Sequence, residues 1–334
     1  MSRLLERLER LYALGDRVGY TPAEDQAHAL VRRWMEEAGL TVEVDDAGNL
    51  VGRVPGEGRE VWTGSHLDTV PAGGRFDGAL GVVAGLEAVE RLGVPGLAAV
   101  AFRDEERGCA GSRARVASGP LPDAYLELHI EQGPRLERAG VPLAVVTGIV
   151  GYSRQTVTVR GRAGHAGTTP MDDRDDALCA AAERILAIRD AAGAIPEAVA
   201  TVGTLSVEPG GVNVIPGAVS FTVDARAPDR ARLDELLGAI GLETGVGVEP
   251  VAMDAGVVAA TRAAIESCGA PVLELPSGAG HDAGILAAAG VPAGMLFVRS
   301  LNGGISHSPD EWSDPEDCEL AVDVLADALR RLAS

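Results

Sequence analysis

Val61-Trp62-Thr63-Gly64-Ser65-His66-Leu67-Asp68-Thr69-Val70 opens as an apolar strand and ends on a histidine two residues before an aspartate. A buried strand that stops at polar, ligand-type side chains marks the edge of an α/β sheet, where sites form. The same handover recurs on both sides of it. Leu97 to Phe102 is an apolar strand that delivers Asp104-Glu105-Glu106, and Ala124 to Leu128 delivers His129. Thr41 to Val44 and Leu50 to Val54 read as a strand pair around Asp46-Ala47-Gly48-Asn49, and Ala79 to Leu92 as a helix. Nearer the N-terminus, Thr21 as N-cap, Pro22 at the first helical position and Glu24 predict a capping box. Ala27, Leu30, Val31, Trp34 and Met35 then follow at helical spacing, and Gly39 stops the helix.

Between about Tyr152 and Met253 the rhythm changes. Strand (Gln155 to Arg160), helix (Asp173 to Ala191), strands (Ala198 to Val207, Ala218 to Ala225), helix (Asp229 to Ile240) and strand (Val246 to Ala252) give the order βαββαβ. That is a ferredoxin-like unit able to form its own two-layer domain. The α/β rhythm resumes with a helix at Val257 to Cys268, a strand at Val272 to Leu275, a helix at His281 to Ala289, a strand at Ala293 to Val298 and a last helix from Pro315. The expected fold is therefore α/β: a catalytic domain in two pieces, 1–150 and 254–334, with a mixed sheet and helices on both faces, and a smaller domain inserted at 151–253.

Composition narrows the function. A chain of 334 residues with 46% hydrophobic content can bury a core large enough for two domains. No stretch approaches the roughly 18 uninterrupted apolar residues of a membrane span. The amphipathic start, Arg3 to Leu11, lacks the layout of a secretion signal. The net charge of −20 repels phosphate backbones and anionic lipid, which excludes nucleic acid and membrane surfaces as partners. Cys109, Cys179, Cys268 and Cys318 form no C-x-x-C pair, so neither a disulfide framework nor a thiolate site is expected, and a reducing cytoplasm fits. All 29 basic residues are arginine, which removes lysine Schiff bases, pyridoxal phosphate and the phosphate-binding P-loop.

Five of the six histidines lie in segments rich in Gly, Asp and Glu. One histidine bonded to a carboxylate is a common structural pair. Asp77 in Gly73-Gly74-Arg75-Phe76-Asp77-Gly78, the Glu105-Glu106 pair, His129 and His307 all lie where strands hand over to loops, and together they form a ligand set. Two cations held by His66, Asp77, Glu106, His129 and His307, with Asp77 bridging, would lower the pKa of a shared water and polarise a substrate carbonyl. Zn²⁺ suits the set, and Mn²⁺, Co²⁺ or Ni²⁺ are also accommodated. Glu105, beside a ligand but not needed as one, is placed to carry the proton from water to a leaving nitrogen. Asp68 reads as the carboxylate that fixes the His66 tautomer. His281 and Asp282 start a helix or approach the metals, and stay outside the ligand set. His28 reads as structural or solvated.

These segments, with Leu126 to Pro134, Gly164 to Met171, Asn213-Val214-Ile215-Pro216-Gly217, Ser277 to Ala283 and Asn302 to Pro309, resemble the zinc-dependent amidohydrolases of the M20 peptidase superfamily. Within it they are most similar to the amidase, hydantoinase and carbamoylase branch, for which the His129 motif is the marker. The resemblance implies a zinc-peptidase-like catalytic domain, with His66 and His129 on one metal, Glu106 and His307 on the other, Asp77 as bridge and Glu105 as general base. It implies Gln132, His165, Asn213 and Arg226 as substrate contacts, Arg226 gripping a carboxylate with its planar fork. It also implies that the inserted domain is a lid and the interface of a homodimer. The expected reaction is hydrolysis of a ureido (carbamoyl) C–N bond in a small anionic substrate, such as an N-carbamoyl-L-amino acid or allantoate, releasing ammonia and carbon dioxide.

Two departures bear on the substrate. After Glu105-Glu106 the chain continues Arg107-Gly108-Cys109-Ala110-Gly111-Ser112, closer to the general superfamily spacing than to this branch, and its loops look trimmed. The rival readings are an M20-type aminopeptidase or aminoacylase, and a non-catalytic small-molecule binding protein on the same fold.

Overall fold

The computed structural model describes residues 2–334. The chain divides into two compact units, Met1–Ile149 with Ala252–Ser334, and Val150–Val251. Among the described residues no helix is long and apolar enough to cross a membrane.

The first unit is built on a large mixed sheet. Its strands run in the order Thr41–Val44, Leu50–Arg53, Leu97–Phe102, Val61–His66, Ala124–Ile130, Ala293–Val298, Leu143–Ile149 and Val251–Ala252, with Glu274–Ser277 also paired to Leu143–Ile149. The centre is parallel, from Leu97–Phe102 across to Ala293–Val298, and antiparallel pairs flank it. Every residue of Val61–His66, Leu97–Phe102 and Ala124–Ile130 is buried, as expected of parallel strands covered on both faces. Alternation along Ala124–Ile130 positions the site. Ala124, Leu126, Leu128 and Ile130 join an apolar core with Val82, Val83 and Leu86 of the helix Ala79–Leu92 and with Val322, Leu325 and Leu329 of Pro315–Ala333. Tyr125, Glu127 and His129 therefore face the other way, where the helix Asp282–Ala288 meets Glu127 through the Ala283 N–H.

The second unit carries a three-stranded antiparallel sheet in the order Gly151–Arg160, Ala218–Ala227, Val199–Glu208. Helices Ala177–Ala194 and Arg230–Ala239 close its core around Ala181, Ile188, Phe221, Leu233 and Leu236. The expected fourth strand of the βαββαβ pattern, Val246 to Ala252, is not formed in this sheet. Its start keeps one antiparallel bridge, Tyr152 to Val248, and its last two residues, Val251–Ala252, pair with Leu143–Ile149 instead. Gly245 and Gly247 take positive φ and Pro250 lacks an N–H, so the segment cannot sustain a ladder.

Candidate active site

The centre of the site is Asp77. Its Oδ1 lies 3.1 Å from His129 Nε2 and 3.6 Å from His66 Nε2, and its Oδ2 lies 3.3 Å from His307 Nε2. His307 Nε2 is also 3.3 Å from Glu106 Oε2. One carboxylate thus belongs to two donor triads, His66–Asp77–His129 and Asp77–Glu106–His307, in each of which the candidate ligand atoms fall within 4.8 Å of one another. His66 and His129 are delivered by the ends of neighbouring parallel strands, and Asp77 immediately precedes the helix Ala79–Leu92. Gly78 makes this possible. Its φ is +61°, and a Cβ there would lie 2.4 Å from the His66 ring.

Hydrogen bonding decides what these atoms offer. His129 Nδ1 lies 2.9 Å from the Ile130 carbonyl, and His66 Nδ1 lies 3.1 Å from the Asp68 carbonyl, so each Nδ1 carries the proton. In the neutral rings both Nε2 atoms are then lone pairs aimed at a carboxylate. His129 Nε2 is buried with no hydrogen-bond partner. Lone pairs converging on carboxylate oxygens repel unless a cation lies among them. Donors about 2.0–2.1 Å from a tetrahedral zinc are about 3.3 Å apart, which the measured separations bracket. The donor set fits two divalent cations. Without them the histidines take up charge instead: burial opposes it, but Glu105, Asp68 and Asp77 hold the pKa of His66 well above its usual range.

Glu105 and Glu106 sit on a tightly tied turn. Asp68 accepts the Glu105 N–H on Oδ1 and the Glu106 N–H on Oδ2, both at 3.0 Å, while its Oδ1 is 3.3 Å from His66 Nδ1. Asp68 therefore orients a histidine and both glutamates. The expected capping box at Thr21 is not formed. Thr21 Oγ1 donates to the Val18 carbonyl, and Glu24 turns inward, ion-paired to Arg103 at 2.6 Å and accepting the Asp104 N–H at 3.0 Å. Glu24 is another support for the same turn. Burial pushes the Glu105 carboxyl well above the usual range, with Asp282, Glu106 and Asp77 adding to the effect against the opposing His66. The Cys109 thiol lies 3.8 Å from Glu105 Oε1. Asp104, Cys109, Gln132 and His307 all have positive φ, a concentration of backbone strain around one site.

Gln132 meets Asp77 in this structure: its Nε2 donates to Asp77 Oδ2 at 2.9 Å, and its Oε1 is buried without a partner. His281 is buried, with its ring 4.5 Å from that of His129 and its Nε2 2.9 Å from Ser277 Oγ. Glu127, His129 and His281 form a third possible donor group, but it competes with the first for His129, whose Nδ1 is already committed. Asp282 accepts the Ser112 hydroxyl at 2.6 Å, and burial and Glu127 push its carboxyl up to about 8. His28 is buried rather than solvated, and burial pushes its pKa down to about 3.

His165, Asn213 and Arg226 belong to the second unit. His165 pairs with Val214 in a two-residue ribbon, and the Asn213 carbonyl accepts the Ala166 N–H, so His165 and Asn213 are neighbours. Arg226 lies on Ala218–Ala227 and directs its fork at Asp224, Nε to Oδ1 at 2.8 Å and Nη2 to Oδ2 at 3.2 Å. A substrate carboxylate would share or displace that contact. Sequence reading passes over Glu311, Ser306 and Glu127, all buried or half-buried acids and hydroxyls in contact with the site. Only the position of Ser306 beside His307 and of Glu127 two residues before His129 could have pointed to two of them.

Comparison with known proteins identifies the family. Residues 62–331 match the model for peptidase family M20/M25/M40. The chain is 38% identical to an N-carbamoyl-L-amino acid amidohydrolase of Geobacillus stearothermophilus, covering 99% of this chain and 98% of that protein. It is 34% identical to an allantoate amidohydrolase of Bacillus subtilis (strain 168), covering 95% and 92%. The crystal structure of a hydantoinase/carbamoylase family amidase from Burkholderia multivorans superposes with a TM-score of 0.91 at 34% identity, covering 99% of this chain and 98% of that one. The Geobacillus alignment spans 404 positions against 334 residues here, so the relative carries at least 70 positions that this chain lacks. The chain belongs to the M20/M25/M40 peptidase family, as an amidohydrolase of its hydantoinase/carbamoylase amidase branch.

Proposed function

We propose that this amidohydrolase cleaves the ureido (carbamoyl) C–N bond of a small carboxylate-bearing substrate, an N-carbamoyl-L-amino acid or allantoate, with release of ammonia and carbon dioxide. The observation that carries the reading is the pair of donor triads sharing Asp77, with His129 completing the first. The names of the relatives, N-carbamoyl-L-amino acid amidohydrolase and allantoate amidohydrolase, supply the substrate class.

His66, Asp77 and His129 would hold one divalent cation and Asp77, Glu106 and His307 the other. Zn²⁺ suits this mixture of imidazole and carboxylate. When bound, the two cations polarise the ureido carbonyl and lower the pKa of the attacking water. Glu105 takes that water's proton on its carboxylate and returns it to the departing nitrogen, a role open to it because it lies beside the ligand Glu106 without being needed as a ligand itself. Asp68 keeps Glu105 and Glu106 in register by holding both their amides. Gln132, His165 and Asn213 are the proposed polar contacts to the substrate, and Arg226 the contact to its carboxylate.

A homodimer formed through the second unit belongs to the same reading. The strand Val199–Glu208 is an unpaired edge of its sheet and exposes Val199 and Leu205, as the helix Ala177–Ala194 exposes Leu178 and Leu186. The four unpaired cysteines support a cytoplasmic setting.

The test is ammonia release from metal-replete protein offered allantoate, N-carbamoyl-L-amino acids, N-carbamoyl-β-alanine and dipeptides in parallel, with metal content measured on the same sample. Turnover of one ureido substrate is expected. Silence across the ureido set with both metals bound, and turnover of dipeptides, would replace this reading with that of an aminopeptidase or aminoacylase.

A further inference from the structure

Glu311 is buried, and the hydrogen bonds of its carboxylate converge on the residues around Asp77. Its Oε1 accepts the backbone N–H groups of Phe76 at 2.8 Å and Asp77 at 3.1 Å. Its Oε2 accepts the hydroxyl of Ser306, the residue before His307, at 2.8 Å. Gly74 leaves the room this needs: a Cβ there would lie 2.1 Å from both the carboxyl carbon and Oε1 of Glu311. Placing a second buried carboxylate beside Asp77 is costly, because like charges and loss of water both oppose it. A side chain serving only to fill space there would be apolar.

The Ser306 hydroxyl shows what the arrangement does. Its oxygen lies 3.1 Å from Asp77 Oδ2 and 2.8 Å from Glu311 Oε2, and it has a single proton for the two carboxylates. A proton held on Asp77 Oδ2 competes with a cation for that oxygen; a proton drawn to Glu311 releases it. The same bond ties down the segment that carries His307, whose φ of +55° is strained.

We propose that Glu311 is the positioning residue for Asp77 and His307, setting the Asp77 backbone and drawing the Ser306 hydroxyl proton away from Oδ2, which then has only the Gln132 amide to exchange for a cation. The inference rests on reading Asp77 and His307 as metal ligands, and the experiment separates the two. Zn²⁺ is titrated into metal-stripped protein against a competing chelator for the wild type, Asp77→Ala, Glu311→Ala, Glu311→Gln and Gly74→Ala, with the fold of each checked by circular dichroism. Wild type takes up two equivalents, and Asp77→Ala loses tight binding. Glu311→Ala binds about 10–100-fold more weakly, the range for residues that orient ligands. Glu311→Gln keeps an acceptor oxygen for the two amides but presents its NH2 to Ser306, whose hydroxyl proton then returns to Asp77 Oδ2, so it recovers only part of the affinity. Gly74→Ala, which leaves the Glu311 carboxylate in the chain but displaces it, weakens binding as Glu311→Ala does.

A folded Glu311→Ala with wild-type affinity for both equivalents overturns the inference, as does a loss of thermal stability with no loss of affinity. Should Glu311→Ala not fold, Gly74→Ala decides by the same criterion. Two equivalents bound tightly by Asp77→Ala would remove the ligand reading itself, and the role of Glu311 with it.

Discussion

The two units use polar side chains in opposite ways. In the first, His66, Asp68, Asp77 and His129 are buried, and each is fixed by a bond to backbone or to another member of the cluster. In the second, His165 and Asn213 are exposed on a two-residue ribbon, and Arg226 lies on a strand beside a carboxylate of its own unit. Chemistry that depends on distances of a few tenths of an ångström is held on parallel strand ends inside a packed sheet. Candidate recognition residues sit where sequence and backbone can change without disturbing a core. Substitutions in the first unit should therefore lower turnover or metal retention, and those in the second should shift apparent substrate affinity.

Glu105→Gln is the most severe test of that division. Loss of a general acid–base residue should lower kcat by about 10²–10⁴-fold while both metals stay bound, as read by steady-state kinetics beside metal analysis. Wild-type turnover would remove Glu105 from the mechanism. Asp68→Asn comes next. An amide cannot accept the Glu105 and Glu106 N–H groups with both of its atoms, so kcat/KM is expected to fall about 10–100-fold. An unchanged value would show that the turn holds without it.

Arg226→Ala probes the other side of the comparison. KM for carboxylate-bearing substrates should rise about tenfold with kcat within about twofold, a pattern that separates ground-state binding from chemistry. A fall in kcat alone would erase the contrast between the units.

The smallest expected effect is a pH dependence of stability. The Asp282 carboxyl has its pKa pushed from 3.8 to about 8, and Glu105 is shifted in the same direction. Between those limits the folded chain holds protons that the unfolded chain releases, so stability falls as pH rises from about 4 to about 8. Bound cations favour ionised carboxylates and should flatten the slope. Melting temperatures of stripped and loaded protein should accordingly diverge by a few degrees more at about pH 8 than at about pH 5. Parallel curves would sink the argument.

Much of this arrangement is legible in residue order because it uses scarce side chains at conspicuous places. A chain with six histidines that sets His66 and His129 at the ends of apolar strands, and His307 between serines after a Gly-Gly turn, advertises them. Glu311 and Glu24 are the opposite case. They are two of 49 acids in a chain of net charge −20, where most acids are not buried, and only tertiary contact shows that these two are. Glu24 even fits a local rule, the capping box, that long-range bonding to Asp104 and Arg103 overrides. The fourth strand of the second unit is absent for a related reason. The apolar letters of Val246 to Ala252 are right for a strand, while Gly245, Gly247 and Pro250 remove the backbone conformation and the donor a ladder needs. Leu143–Ile149 is not legible in the same way, because no ligand-type side chain marks its end.

Asp77 offers one oxygen to each donor triad, so two cations held as proposed would be coupled through a single side chain. A first ion would fix the carboxylate in place for the second, and the shared negative charge would offset part of the repulsion between the two cations. With both ions needed for turnover, the rate at limiting metal follows the supply more steeply than its first power. One side chain would then turn a gradual change in free metal into something closer to a threshold, making the catalyst a reporter of metal sufficiency as well as a consumer of its substrate.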